Sequence, residues 1–229
     1  MTTKRLVRIS YFTMLTVIGG LIRIPVPLTP IRFTLQALFV AASGLVLGGR
    51  DGAFAQIAYA VLGLVGLPIF TTGGGIGYVF EPSFGYILGF PLQAFITGFL
   101  VGRKKTLSVL KLFLCAFAGL VASYLLGIAY QVMILTLVSH SAFAAALATV
   151  PSVLLMLVKD AVLIYLLCLL YPKIMNLIGK ANEKAKTQEN VQTELKREQP
   201  QPEGEDGADA PEPAPPKNPV PEPAGLIKP

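Results

Sequence analysis

Up to residue 171, apolar residues fall in long unbroken stretches at 6–24, 34–49, 53–69, 83–102, 106–138 and 152–171, parted by short polar or Gly/Pro-rich breaks. The stretches do not alternate with a period of two, as half-buried strands would. A helix needs about 20 apolar residues to cross a hydrocarbon core of about 30 Å. Backbone that is not hydrogen-bonded internally is not tolerated in lipid. The pattern therefore predicts an all-α membrane protein with six transmembrane helices. The second and third runs are short and must recruit flanking residues. The fifth is long enough to tilt or to extend past the bilayer. Pro91 in the fourth predicts a kink there.

Composition sharpens this picture. Of the 229 residues 53% are hydrophobic and 14% charged, whereas soluble domains carry about a quarter charged residues. Residues 1–180 hold 13 Lys and Arg but only three acids, Asp51, Glu81 and Asp160. So few acids nearly exclude a water-soluble globule. Residues 181–229 hold six Lys and Arg, ten acids and ten of the 18 prolines. Two segments are expected: a transmembrane substrate-binding domain at 1–180, and a disordered Pro/Glu-rich cytoplasmic tail at 181–229, too poor in bulky apolar side chains to offset chain entropy. A proline-rich partner-binding segment is the alternative for the tail.

Loop charge sets orientation. With the N-terminus inside, ten cations fall on the cytoplasmic side: Lys4, Arg5, Arg8, Arg50, Arg103, Lys104, Lys105, Lys111, Lys173 and Lys180. Only Arg23 and Arg32 fall outside. Both termini are thus expected in the cytoplasm. The N-terminal charges ahead of an apolar run look like a signal peptide. The run ends in Ile22-Arg23-Ile24-Pro25 instead of a small-x-small cleavage site, so it reads as a retained first helix.

Several chemistries are poorly supplied. The two cysteines, Cys115 and Cys168, lie in apolar runs and suggest no disulfide framework. With a single histidine, metal-ligand spacing is missing. His140, between Ser139 and Ser141, is expected to be a solvated outer-loop residue. Thr71-Thr72-Gly73-Gly74-Gly75 lacks the Lys that a phosphate-cradling loop needs, and Gly179-Lys180 lacks its upstream glycine. Asp51 falls inside and Glu81 outside, so paired catalytic carboxylates cannot form, and an enzyme is not expected.

Two outer loops are unusual. Residues 23–34 carry three prolines, which favour extended or turn backbone. Residues 67–86 carry a glycine run among aromatics and prolines. One stiff and one pliable apolar loop suit a lid over a small-molecule cavity; two ordinary interfacial loops are the alternative. Within the spans, Lys159 and Asp160 are costly ions and mark either a ligand contact or a glue pair between helices. Gln36, Gln56, Gln93 and Gln131 suit interhelical hydrogen bonds. Gln36, beside the proline-rich loop, is the strongest ligand candidate of the four.

Taken in order, several segments resemble the BioY family, the biotin-specific S components of energy-coupling-factor (ECF) transporters. They are Ile22-Arg23-Ile24-Pro25, Phe33-Thr34-Leu35-Gln36, Gly44 with Leu47-Gly48 and Gly52, and Tyr59 with Gly63. Gly66-Leu67-Pro68-Ile69-Phe70, Gly73-Gly74-Gly75-Ile76-Gly77, Pro82-Ser83-Phe84-Gly85-Tyr86 and Gly89-Phe90 follow. Tyr124, Gly127 and Tyr130 also fit, and the resemblance covers residues 6–175.

The resemblance implies a six-helix protein in the plasma membrane that captures biotin from outside. It implies a transmembrane scaffold subunit and two cytoplasmic ATPases as partners, with no cofactor and no nucleic acid. S components are thought to topple in the membrane to release substrate inward. The family commonly carries Pro-Gly-Asp in its sixth span with a lysine about one turn later. Here the acid is Asp160, the lysine is Lys159 just before it, and residue 163 is Leu. Arg32 stands where the family often has proline. The small-x-x-x-small spacing of scaffold docking is poorly matched, with Ser10 followed by Met14. Asp160 is the expected acceptor for the ureido N–H groups of biotin. Lys159 or Arg32 would meet its carboxylate, and Tyr86 and Tyr124 would flank its rings, with Gln36 nearby. The alternatives are an S component for another small vitamin and a stand-alone secondary transporter.

Overall fold

A computed structural model describes residues 2–22, 24–25, 32–102, 107–138, 143 and 147–198, without the side chains of Ile24, Pro25, Arg32 and residues 182, 184–186, 189 and 192–198. Six helices follow one another: α1 (Thr3–Leu21), α2 (Gln36–Leu47), α3 (Gly49–Leu64), α4 (Phe84–Val101), α5 (Val109–Leu137) and α6 (Val150–Glu198). Each answers to one predicted apolar run. A two-stranded antiparallel hairpin, β1 (Ile24–Pro25) and β2 (Arg32–Phe33), joins α1 to α2 and pairs Ile24 with Phe33. Pro25 of the first loop lies in the first of these strands. A 3-10 turn at Ile76–Phe80 precedes α4.

Three helical stretches are long and apolar enough to cross a membrane: Phe84–Val101, Val109–Leu137 and Val150–Ala181. Helix α2 is apolar but shorter. It is parted from α3 by a single residue, Gly48, whose φ of 84° favours glycine. The two short runs are therefore the arms of one tight helical hairpin. Helix α4 runs unbroken past Pro91.

The chain divides into two units, Met1–Lys180 and Ala181–Pro229. Helix α6 continues to Glu198, where the sequence reading expects disorder from residue 181 onward. Residues 181–198 contain neither Gly nor Pro and are rich in Ala, Glu, Lys and Gln, all good helix formers. They extend a helix already nucleated, which avoids the unfavourable first turn. Residues 199–229 lie outside the described residues, as do His140 and its two neighbours.

Lipid is as apolar as leucine, so helices in a membrane associate through close packing and not through burial from water. Helix α2 is central in this respect, with Val40 and Ala41 fully buried. A methyl group added at Gly44 would overlap the Ala94 carbonyl of α4, and one at Gly98 of α4 would overlap the backbone of Gly48 and Gly49. Thr13 of α1 donates to the Ala55 carbonyl of α3 at 2.9 Å. Arg5 and Asp51 form an ion pair between the same two helices. On the other side of α2, Ala37, Ala41 and Leu45 pack with Leu120 and Tyr124 of α5 and with Ile164 and Cys168 of α6.

Candidate ligand-binding site

Asp160 sits on α6 among α2, α5 and α6 residues and is 4% exposed. A carboxylate so deep in a bundle needs partners, because an unpaired charge there costs several kcal/mol. Tyr124 of α5 donates its hydroxyl to Asp160 Oδ2 at 2.6 Å. Lys159 Nζ stands 2.5 Å from Asp160 Oδ1 as an ion pair. Neighbouring side chains on a helix diverge by about 100°, so the pair forms only because the long lysine stem curls back. Asp160 Oδ1 is buried but carries no hydrogen bond beyond this ion pair.

The remaining contacts build walls around this acid. Tyr86 of α4 lies edge-on to Tyr124, with ring centroids 5.5 Å apart at 71°. Such T-shaped pairs match the positive ring edge to the negative face. The Tyr86 hydroxyl donates to Gln131 Oε1 at 2.8 Å, and Gln131 Nε2 donates to Thr149 Oγ1 at 2.8 Å. Gln131 is thereby fixed in one orientation and holds the Tyr86 ring in turn. Gly127 of α5 lies against that ring, where any Cβ would overlap it. Lys159 donates to the Thr34 carbonyl at 2.7 Å and stands 5.3 Å above the Phe33 ring.

The structure thus brings Tyr86, Tyr124, Lys159 and Asp160 together. Gln36 is placed otherwise. It is buried at the start of α2, donates to Tyr59 of α3 at 2.6 Å, and packs on Gly20 of α1. Its amide ties three helices, and no contact joins it to Asp160. Arg32 pairs with Pro25 through the hairpin backbone, and its side chain lies outside the described residues. Phe33, Thr34 and Thr149 are contacts that residue chemistry did not single out. Thr34 acts through its backbone carbonyl, and Thr149 lies in a loop; neither leaves a sequence signal. Gln131 was visible only as one of four intramembrane amides.

The glycine-rich loop, expected to be pliable, is anchored. Phe70 is fully buried, with ring centroids 5.5 Å from Tyr59, 4.6 Å from Tyr78 and 6.5 Å from Phe84. The Gly75 amide donates to the Gly63 carbonyl at 2.7 Å. Tyr130 of α5 donates to the Val79 carbonyl. Aromatic plugging overrides the looseness that glycine alone suggests. Among the described residues no group of three or more His, Cys, Asp or Glu is arranged to hold a metal ion. Glu81 is exposed, and Asp51 is paired with Arg5.

One buried acid, one cation and a pair of phenol rings suit a small molecule with N–H donors and flat apolar rings. Several known proteins are similar to this chain. The sequence profile of the BioY family matches residues 1–180. A "Probable biotin transporter BioY" of Lysinibacillus sphaericus is 43% identical over 129 residues, which are 56% of this chain and 65% of that one. The matched stretch thus covers just under two thirds of that relative. The "Biotin transporter BioY" of Rhizobium etli is 32% identical over 172 residues, 71% of this chain and 92% of that one. Among solved structures, the crystal structure of "the S-component for biotin from an ECF-type ABC transporter" matches with a TM-score of 0.64. It is 22% identical, and the match covers 77% of this chain and 95% of that one.

Proposed function

Since this chain belongs to the BioY family, we propose that it captures biotin at the Asp160 site and carries it across the cytoplasmic membrane as the S component of an ECF-type ABC transporter. Asp160, a buried carboxylate held between the Lys159 ammonium and the Tyr124 hydroxyl beside two aromatic rings, is the observation that carries this reading. Biotin presents two ureido N–H groups, a fused apolar ring body and a carboxylate tail. An ionised carboxylate is a strong acceptor for such N–H groups, because charge-assisted bonds are about twice as strong as neutral ones. Tyr124 orients Asp160, and Tyr86 and Tyr124 line the space beside it for the ring body. A cation, Arg32 or Lys159, meets the biotin carboxylate.

In this reading residues 1–180 form six spans with both ends in the cytoplasm, and residues 181–229 form a cytoplasmic tail. Two features support that orientation. Cations crowd the predicted inner segments, and the Arg5–Asp51 pair lies at the α1 end opposite the hairpin. In this reading Phe33, Thr34 and the glycine-rich loop lie on the outward side. Energy comes from two ATPase subunits held by a transmembrane scaffold, since this sequence carries no phosphate-binding loop.

The test is a binding titration of the purified protein with biotin, riboflavin and thiamine. Tight binding of biotin alone is expected. Preference for riboflavin or thiamine would overturn the substrate assignment and leave a different vitamin in the same site.

A further inference from the structure

Lys159 lies near the middle of the sixth apolar run, and the structure gives its ammonium group three neighbours. It donates to the Thr34 carbonyl at 2.7 Å, faces Asp160 Oδ1 at 2.5 Å, and stands 5.3 Å over the Phe33 ring. A lysine has three N–H donors and a single charge. The side chain is 17% exposed. Phe33 and Thr34 are 126 and 125 residues away in sequence, and both close the outer hairpin onto α2.

The Thr34 carbonyl explains why a cation is needed. Thr34 precedes the first residue of α2, whose earliest backbone bond runs from Phe39 N to Leu35 O at 3.4 Å. Its carbonyl therefore lies outside the helix ladder and depends on a donor from elsewhere. A backbone oxygen without a partner is costly away from water. Lys159 supplies that donor, and the Phe33 ring, within about 6 Å, adds cation–π attraction. Side chains on a helix lean toward its N-terminus, so Lys159 leans toward the Thr149 end of α6, away from the turn that follows Asp160.

We infer that Lys159 is a positioning residue: it straps the end of the outer hairpin, at Phe33 and Thr34, to Asp160, and it does not contact the carboxylate of the ligand. The inference rests on the biotin reading only for its ligand arm. It narrows the two candidate cations for that carboxylate to Arg32. The strap holds Thr34 beside Asp160 whatever charge the ligand bears.

The experiment compares the full-length protein with Lys159→Met, which keeps the stem length and loses the donors. Two ligands are used: biotin, and biotin whose carboxylate is converted to a neutral primary amide. Dissociation of both is expected to speed up by the same factor, on the order of tenfold for one lost charge-assisted bond. Hydrogen exchange at residues 33–36, measured without ligand, is expected to rise in Lys159→Met. Lys159→Arg, which keeps donors and charge, is expected to restore protection. Phe33→Leu is expected to give the same pattern at smaller size and serves if Lys159→Met does not fold. Faster release of biotin with unchanged release of the amide would place Lys159 on the ligand carboxylate and overturn the strap. Unchanged exchange at residues 33–36 would overturn it too. If the parent protein binds neither ligand, the biotin reading fails, and the exchange arm still decides the strap.

Discussion

Two of the polar regions buried in this bundle are built on different terms. In one, Asp160, Tyr124, Lys159, Tyr86 and Gln131 form a contact chain through α4, α5, α6 and the hairpin. It contains a full ion pair and two aromatic rings. In the other, Ser43, Gln56, Gln93 and Thr97 are fully buried, neutral and spread over α2, α3 and α4. Gln56 donates to Ser43 at 3.1 Å and Gln93 to the Ala37 carbonyl at 3.1 Å, while Gln56 Oε1, Gln93 Oε1 and Thr97 Oγ1 have no partner. The neutral region therefore leaves acceptors unsatisfied, so an unpaired atom alone does not mark a site. The charged region holds its carboxylate between a lysine and a phenol hydroxyl, beside aromatic rings. The neutral one sits where Gly44 and Gly98 bring backbones into contact. Its amides tie helices together, a modest contribution of about 0.6 kcal/mol each in membranes.

The comparison can be broken from either side. Asp160→Asn removes the charge and halves the acceptor capacity in the first region; biotin binding is expected to weaken by about 100-fold, in line with a hydrogen bond to a charged group. Calorimetric titration measures it, and unaltered affinity would move the site elsewhere. Gly98→Val forces a branched side chain into the Gly48–Gly49 backbone and is expected to destabilise the fold by about 1–3 kcal/mol, the usual overpacking cost. Thermal unfolding in detergent reads this, with biotin affinity of the folded fraction unchanged. Tyr124→Phe deletes the hydroxyl that orients Asp160 and leaves the ring; affinity is expected to fall about tenfold with little change in stability. The smallest effect is expected for Gln93→Leu. It loses one bond and one orphaned oxygen together, so stability should move by less than about 1 kcal/mol, and biotin binding should stay at the parent value. A large loss of binding there would erase the distinction between the two regions.

Much of the architecture was legible from local pattern. Each of the six helices falls on an apolar run, because hydrocarbon thickness and backbone satisfaction act on contiguous residues. Asp160 and Lys159 were visible as ions too costly to be incidental. Tyr86 and Tyr124 entered through resemblance, and the structure sets their rings side by side. Gln36 shows the limit. Its place beside the outer loop suggested a ligand role, yet its amide is committed to Tyr59 on α3. The glycine run suggested looseness, and Phe70 beneath it supplies the anchor.

What contiguous residues encode here is solvent preference: which stretches enter lipid, which side gathers cations, and where a helix can propagate, as it does through residues 181–198. The partnerships are another matter. Tyr124 and Asp160 are 36 positions apart, and Lys159 and Thr34 are 125 apart. Such pairs exist only once glycines let helices approach and the approach sets their rotation about one another. The same acid is a penalty in an isolated helix and an acceptor in the assembled bundle, because only tertiary packing decides what stands opposite it.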